Sequence, residues 1–246
     1  MRIPHPRGDA ILAHWAARAG IPVEAFSHAG ISIISWNARK QRVLIYRTDS
    51  DAVILAPEPL ADCLRGWLSE RPTGTEARTE ELTQAQPSLG LRFLWRDLIS
   101  YLPETCPLPA PPSEVCRLRG EHTDLLRTLH DVCSEEDCKL GEVEIDHPVV
   151  LGYVEQGRLL GAASYIFDPL HPIADIGVLV RPEARLRGIA RILVAALCAP
   201  EYAEGRVIQY TTQGKNVASQ LVAKRIGFRL CLQEEGLEID SGTPRP

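Results

Sequence analysis

The sequence predicts a mixed α/β protein in which a mainly antiparallel sheet is flanked by helices, with a smaller α+β domain at the N-terminus. Its 246 residues suffice for one large domain or two small ones. Five prolines between Pro103 and Pro112 interrupt the chain, because proline suits neither a helix interior nor a central strand. Strand-like and helix-like patterns alternate on both sides of this break. We therefore predict an N-terminal domain over 1–102, a Pro-rich linker over 103–112 and a C-terminal domain over 113–246.

The N-terminal domain begins with strand-forming residues. The runs Ile31–Trp36, Arg42–Arg47 and Ala52–Ala56 are separated by short polar segments, which predicts an antiparallel meander. Apolar residues then recur at helical spacing between Leu60 and Leu68, which predicts an amphipathic helix on that sheet. The segment Arg71–Gly90 is polar and typical of a loop. No catalytic pattern occurs in this half.

The C-terminal domain has more elements. A hairpin is expected around Gln156-Gly157-Arg158, because glycine suits its turn. Alternating or continuous apolar runs predict the strands Val115–Arg119, Val149–Glu155, Leu159–Phe167, Ile173–Val180, Val207–Thr212 and Phe228–Leu232. Helical periodicity predicts the helices Glu121–Cys133, Gly188–Cys198 and Val217–Ile226.

The composition excludes several classes of protein. Apolar residues make up 45% and charged residues 24% of the chain, which is typical of a globular domain. No apolar run approaches the ~18 residues of a membrane helix, and the first residues lack the apolar core of a secretory signal. The seven cysteines show no zinc-binding spacing and fit reduced thiols in a cytosol. We expect a cytoplasmic protein with no metal site, no membrane partner and no nucleic-acid partner.

The net charge of −5 is unevenly distributed. The segment Asp131–Asp146 has seven acidic residues and one basic residue, whereas Arg181–Arg229 has nine basic and three acidic residues. An acidic block and a basic block would suit a cationic and an anionic partner, respectively. The alternative is two solvated faces that bind nothing.

The basic block contains the most informative motif. A buried strand ending at Val180 is followed by a proline turn, by Arg185 and Arg187, and then by the apolar helix predicted over Gly188–Cys198, which Arg191 flanks. A helix N-terminus has unpaired N–H groups and a partial positive charge, both of which favour a phosphate or pyrophosphate. Gly188 would allow ligand oxygens to approach the backbone closely.

A second motif follows the next strand: Asn216-Val-Ala-Ser219 opens a helix that ends with Gly227-Phe228. Together the two motifs resemble those of the GNAT acyltransferase superfamily. Arg185, Gly188 and Ala190 match its acyl-CoA motif, and the later helix matches its Asn-x-x-Ser/Ala…Gly-Phe segment. The resemblance covers about residues 113–240.

The resemblance implies that the chain is an N-acetyltransferase, which transfers the acetyl group of acetyl-CoA to an amine by direct attack. It implies that backbone groups of Val178 and Val180 hold the pantetheine arm and that Asn216 and Ser219 contact the cofactor near its sulfur. The backbone N–H groups that would bind the pyrophosphate are those of residues 186–191. The expected cofactor-binding residues are Val178, Leu179, Val180, Arg185, Leu186, Arg187, Gly188, Ile189, Ala190, Arg191, Asn216 and Ser219.

The attack needs a neutral amine and hence a base or a proton-accepting water. Asp175 is the candidate within the matched strand, although the family's usual carboxylate position falls on Ala174, and a one-residue shift reverses the face unless a bulge corrects it. Glu135 and Glu136, together with Asp137 on the same loop, are the alternative bases, or else a solvated helix cap. Glu142 and Glu144 alternate along a short strand and would add to the negative rim.

The sequence departs from the family where many members have a general-acid tyrosine, because Ala223 occupies that position. Tyr202, Tyr210 and His171 are substitutes, although structural roles suit all three. A catalytically weak acyl-CoA sensor is therefore the alternative function. The first domain is either unrelated or a degenerate repeat that lacks the phosphate motif, and it would line the acceptor site or form a homodimer. The acidic block would suit a small amine, an aminoglycoside-like polyamine, a lysine side chain or a protein N-terminus, and of these acceptors we expect a small molecule rather than a protein.

Overall fold

The computed structural model describes residues 1–36, 42–70, 83 and 90–239. The chain forms two compact units: Met1–Ile99, Thr212–Lys215 and Leu230–Pro246 make the first, and Ser100–Thr211 and Asn216–Arg229 make the second. These units divide the chain differently from the expected boundaries at 102 and 113, because the C-terminal segment belongs with the N-terminal residues. The domain boundaries therefore stay a prediction. Within the described ranges, no helix combines the length and apolarity needed to cross a membrane.

Seven helices and ten strands are described. The helices are α1 (Gly8–Ala19), α2 (Glu58–Ser69), α3 (Thr123–His130), α4 (Glu135–Gly141), α5 (Ile189–Leu197), α6 (Pro200–Ala203) and α7 (Val217–Ile226). The strands are β1 (Ile31–Ser35), β2 (Arg42–Arg47), β3 (Ala52–Ala56), β4 (Leu91–Tyr101), β5 (Val115–Arg117), β6 (Val149–Glu155), β7 (Arg158–Phe167), β8 (Ile173–Val180), β9 (Val207–Gln213) and β10 (Arg229–Ile239).

The strand order in the first unit is β1-β3-β2-β10-β4. The predicted antiparallel meander is wrong, because β1 pairs with β3 in parallel while β2 and β3 are antiparallel. The five residues of β3 are all buried, and a strand buried on both faces takes a central position. β1 contains Ser32 and Ser35 and lies at the edge.

β4 is not among the predicted strands, and β10 extends seven residues beyond the predicted end at Leu232. Both strands carry many charged residues, which obscure the apolar alternation. The charges pair across the two strands: Arg92 bonds to Glu238, and Arg96 to Glu235. Glu235 is buried, so its pairing with Arg96 satisfies a carboxylate that would be costly to bury unpaired.

In the second unit the order is β9-β8-β7-β6-β5. All recorded pairings among these strands are antiparallel except that of β8 with β9. The predicted mixed α/β class with a mainly antiparallel sheet is confirmed. The predicted hairpin joins β6 to β7 through Gln156 and Gly157, whose φ angles of 51° and 76° fit a two-residue turn that requires positive φ.

Two other expectations for this unit differ from the structure. Glu142 and Glu144 lie in irregular chain after α4 rather than on a strand. The Pro-rich segment is more than a connector, because Cys106 and Leu108 pack against the core of the unit. Cys106 Sγ lies 2.9 Å from the position that a Cβ would take at Gly227, so glycine is needed where α7 ends.

The two faces of β8 have different neighbours. Ala174 and Ile176 belong to the core beneath α5 and α7, whereas Leu179 packs with apolar residues of α3 and the segment after α4. Successive side chains of a strand point to opposite faces, so Asp175 and Gly177 share the face of Leu179. We call this the α4 face of the sheet.

Candidate functional site

The turn between β8 and α5 has an unusual backbone. A 3-10 turn covers Pro182–Ala184, and Arg185 then has an extended conformation. Leu186 and Gly188 have φ angles of 65° and 84°, in the left-handed region that favours glycine. No atom lies within 4 Å of the position that a Cβ would occupy at Gly188. The turn therefore leaves open space above the start of α5.

The same turn exposes a run of backbone donors. Within the described chain, none of the N–H groups of residues 186–191 donates to a protein acceptor, and the first that does is that of Ile192, to Gly188 O at 3.0 Å. Leu186 and Arg187 are fully on the surface. Six unpaired N–H groups at the start of a helix form a site that favours phosphate oxygens.

Two of the three expected arginines at this turn have acidic partners. Arg185 Nη2 donates to Asp137 Oδ2 at 3.0 Å, and Arg187 Nη2 donates to Glu155 Oε1 and Oε2 at 2.8 and 3.0 Å. Hydrogen bonds from the Ser134 hydroxyl and then from Arg185 lower the pKa of Asp137. Arg191 is exposed and forms no ion pair within the described part of the chain.

β8 and β9 separate partway along their length. Their pairing covers Ile173↔Val207, Ala174↔Ile208 and Asp175↔Gln209 only. Beyond Asp175, β8 continues beside β7 to Val180, with no strand partner on its other side among the described residues. A gap therefore opens between β8 and β9 directly after Asp175.

The backbone of β8 presents polar groups to this gap. The N–H of Arg181 donates to Leu160 O, and the N–H of Asp168 donates to Ile173 O, so the odd-numbered residues of β8 pair with β7. The N–H and C=O groups of Ile176, Val178 and Val180 consequently point away from β7, and of these the N–H of Ile176 donates to Asp175 Oδ1 and the C=O of Val180 accepts from Arg185 Nε at 3.4 Å. An extended ligand with amide groups can bond to such an edge.

Asp175 lies at the point of separation, within a network of donors. Gln209 Nε2 and Thr211 Oγ1 donate to Asp175 Oδ2 at 2.9 and 3.0 Å, and the N–H of Ile176 donates to Oδ1 at 3.0 Å. Tyr101 OH donates to Gln209 Oε1 at 2.7 Å, which places the amide nitrogen of Gln209 toward Asp175. The network thus links three strands across the α4 face.

The surroundings of Asp175 change its acidity. Burial raises the pKa of its carboxyl group, and hydrogen bonds from Gln209, Thr211 and the backbone oppose that rise only in part. Tyr210, on the opposite face of β9, has its pKa raised to about 12 by burial first and by the charge of Asp175 to a smaller extent. A carboxylate with a raised pKa is a better proton acceptor near neutral pH.

Ala174 and Asp175 lie on opposite faces of β8. β7 and β8 pair without a register shift from Gly161↔Val180 to Phe167↔Ala174, so no bulge changes the face of Asp175. Ala174 is fully buried in the core beneath α5, where a carboxylate would have no access to an acceptor. Asp175 takes the α4 face instead.

The structure does not bring Glu135 and Glu136 together with Asp175. Both are exposed in the first turn of α4, on the side where Asp137 bonds to Arg185. The other end of α4, at Gly141, lies about 9 Å further along the helix axis and contacts β8 at Val178. Glu142 and Glu144, which follow that end, are nearer to the gap and are exposed.

The second motif forms α7 as predicted. Asn216 Oδ1 accepts from the N–H of Ser219 at 3.1 Å, a helix N-cap, and Ser219 Oγ bonds to Tyr210 OH at 2.8 Å. Ala223 is buried, so its methyl group belongs to the core. Tyr210 is also a core residue, and His171 bonds to Asp168 within a turn.

Three residues of the network around Asp175 were missed from the sequence: Tyr101, Gln209 and Thr211. A signal for two of them existed, because Gln209 and Thr211 are polar residues two apart in β9, and such residues share one face. The ion partners Asp137 and Glu155 had no comparable signal.

The comparisons with known proteins complete this picture. Residues 117–228 match the family model described as the Acetyltransferase (GNAT) family. These residues form a GNAT acetyltransferase domain. The resemblance inferred from the two motifs is thereby confirmed. This domain is therefore of the acyltransferase type, and acetyl-CoA is the acetyl donor of its family.

Solved structures share the fold. A GCN5-related N-acetyltransferase from Sphaerobacter thermophilus is 14% identical, with 99% of this chain and 98% of that chain covered and a TM-score of 0.52. A GNAT acetyltransferase from Colwellia psychrerythraea is 20% identical, with 61% and 57% covered and a TM-score of 0.51. At these identities the likeness concerns the fold. No curated protein sequence matches significantly.

Proposed function

We propose that the GNAT domain transfers the acetyl group of acetyl-CoA to an amine of a cationic small molecule by direct attack. One observation supports the proposal above all: the free edge of β8, which begins after Asp175, leads along the chain to the six unpaired N–H groups of residues 186–191. A phosphate-binding turn and an amide-binding edge in one line suit the pyrophosphate and the pantetheine arm of acetyl-CoA.

The binding residues follow from this placement. N–H groups of Leu186, Arg187, Gly188, Ile189, Ala190 and Arg191 would bind the pyrophosphate. The backbone of Val178 and Val180 would bond to the pantetheine amides, with Leu179 between them on the α4 face. Ser219 and Asn216, at the start of α7, would lie beside the sulfur end, and Arg185 and Arg187 would add positive charge.

Acetyl-CoA supplies an activated acyl group whose thiol is a good leaving group. The amine nitrogen forms a bond to the carbonyl carbon, the C–S bond breaks, and the proton lost by the amine needs an acceptor. We propose Asp175 as that base, directly or through a neighbouring hydroxyl, because its carboxylate lies at the gap and burial raises its pKa. Glu135 and Glu136 are less well placed.

The charge of the acceptor is inferred from the acidic segment that follows α3. Glu135, Glu136, Glu142, Glu144 and Asp146 are all exposed, and they lie on α4 and the chain after it. Exposed carboxylates of one sign attract a cation and increase its rate of association. A small molecule with two or more amino groups can be attracted through one protonated amine while a second, neutral amine attacks the acetyl group.

The proposal is tested by calorimetric titration of acetyl-CoA. Gly188→Asp introduces a negative charge among the N–H groups, and Gly188→Asn is the matched control, because both residues tolerate positive φ better than other side chains. We expect wild type and Gly188→Asn to bind and Gly188→Asp to lose binding. Equal affinity for the two variants, or no binding by folded wild type, would contradict the pyrophosphate site.

A sensor that binds acyl-CoA without turnover is the second candidate. The observation in its favour is Ala223, which lies in the core where many family members have a general-acid tyrosine. Release of the CoA thiol that depends on an added polyamine distinguishes the two functions. Binding without such release across a panel of amines would favour the sensor.

A further inference from the structure

The network around Asp175 contains a residue with a more direct part in the reaction. We infer that the hydroxyl group of Thr211 is a further catalytic residue, which takes the proton of the attacking amine and passes its own proton to Asp175. This inference rests on the proposed function, since it concerns the same acetyl transfer. The supporting observation is which donor and acceptor positions of Asp175, Gln209 and Thr211 already have hydrogen-bond partners and which do not.

The carboxylate of Asp175 has little capacity left for a substrate. A carboxylate has about four lone-pair positions. Gln209 Nε2 and Thr211 Oγ1 occupy Oδ2, and the N–H of Ile176 occupies Oδ1. Both positions of Oδ2, the oxygen bound to Thr211, are therefore filled, and only one position, on Oδ1 beside the N–H of Ile176, stays open on Asp175.

The other members of the network are also fully engaged. Gln209 Oε1 accepts from Tyr101, and Gln209 Nε2 donates both to Asp175 and to Thr211 Oγ1, the latter at 3.3 Å. Tyr101 and Gln209 are buried, so neither can contact a ligand that enters from solvent. Their arrangement fixes the amide orientation and leaves Asp175 and Thr211, both half-buried, as the members that a ligand can reach.

Thr211 has both the open position and the location. Its oxygen donates to Asp175 and accepts from Gln209, which leaves one of its two lone pairs without a partner among the described residues. It is half-buried and follows Gln209 by two residues, beyond the last β8–β9 pair. Thr211 therefore borders the gap on the same face as Asp175.

The proton transfer balances in one step. As the amine attacks, its N–H bond breaks and a new O–H bond forms on Thr211. The original O–H bond of Thr211 breaks, and its proton forms an O–H bond with Asp175 Oδ2. The hydroxyl is restored, Asp175 becomes neutral, and no co-reactant is needed. The departing thiolate or water then takes the proton from Asp175.

The test compares Thr211→Val, which keeps the shape of the side chain without the hydroxyl, with Thr211→Ser, which keeps the hydroxyl. Thr212→Val is the matched control, because Thr212 is the next residue of β9 and points to the opposite face. We measure kcat for polyamine-dependent release of CoA thiol, and the acetyl-CoA Kd by calorimetry. We expect kcat to fall about 100-fold in Thr211→Val, with Kd unchanged, and to stay within about threefold of wild type in the other two variants.

The outcomes separate the two proposals. If Thr211→Val keeps wild-type kcat, or if Thr211→Ser loses as much as Thr211→Val, the inference fails while the proposed transferase function stands. If wild type releases no thiol with any amine, the proposed function fails and takes the inference with it. A rise in the acetyl-CoA Kd equal to the fall in kcat would place Thr211 in cofactor binding instead.

Discussion

Gln209 and Asp175 are the last residues that pair β8 with β9, and their side chains are joined by a 2.9 Å hydrogen bond from Nε2 to Oδ2. This bond stabilises the ionised form of a carboxyl group that burial disfavours. Gln209 therefore has two roles: it is the last strand partner of Asp175 before the sheet opens, and it favours the ionised form of the Asp175 carboxyl group.

Replacement of Gln209 by Met, which has a similar shape and no donor, should raise the pKa of Asp175 further. The acid side of the kcat/KM profile should shift to higher pH, while the acetyl-CoA Kd stays unchanged. Gln233→Met is the control, since Gln233 is a half-buried glutamine of β10 in the other unit. Superimposable profiles for wild type and Gln209→Met would show that this bond has no influence on catalysis.

The pH dependence of the wild type follows from the direction of the Asp175 shift. Its raised pKa means that the base is ionised only above that pKa, so kcat/KM should fall as the pH decreases through it. Asp175→Asn should lose most of the activity and, with it, this acid limb. An unchanged acid limb in the residual activity of Asp175→Asn would assign the titration to another group.

The ion pair of Arg187 with Glu155 should weaken cofactor binding, because the acid neutralises a cation beside the N–H groups of the turn. Glu155→Gln should tighten acetyl-CoA binding roughly two- to fivefold at low salt, with the effect declining as salt screens it. Calorimetry at two ionic strengths measures both features. Asp124→Asn is the control, because it removes the exposed ion-pair partner of Arg127 on α3, outside the phosphate-binding turn. It should leave the acetyl-CoA Kd unchanged at both ionic strengths.

Weaker binding by Glu155→Gln would mean that Glu155 instead holds Arg187 in its productive position. The salt dependence then separates the cases, because a positioning effect persists when the surface charges are screened.

Gly177 is required by the close approach of α4. A Cβ there would lie 2.3 Å from Gly141 O and 2.6 Å from Glu142 O, so Gly177→Ala must displace the backbone. We expect a loss of about 1–3 kcal/mol in the free energy of unfolding, measured by urea denaturation. Gly120→Ala is the control, because nothing lies within 4 Å of its added carbon. Equal stability of the two variants would show that α4 moves freely.

The sequence predicted those parts of the fold that depend on local patterns. β8 and α7 have the expected bounds, since a largely apolar strand and a helix that begins after Asn216 and ends at Gly227 each have a local signal. The pairing of β1 with β3 was missed because strand order depends on which strand is buried on both faces, a property of the whole sheet. The hydrogen-bond partners within the candidate site likewise depend on strand pairing, which local patterns do not show.

Asp175 and the turn at Gly188 could be found from motifs, whereas the partners of Asp175 come from segments far along the chain. Gln209 follows Asp175 on the next strand, and Tyr101, which orients Gln209, lies 74 residues before Asp175 in the chain. Polar alternation in β9 indicates which face Gln209 occupies, but only the register shows which residue it meets.

The helix α4 connects the backbone of β8 with the phosphate-binding turn. Its C-terminal end lies against the backbone of β8 at Gly177, and Asp137 in its first turn bonds to Arg185 of the phosphate-binding turn. A short rigid helix held at both ends transmits a displacement from one end to the other. In a genetic screen for lost acetyl-CoA binding, substitutions of Gly141 or Gly177 would therefore be recovered together with those of residues 186–191, although neither glycine is among the residues proposed to bind the cofactor.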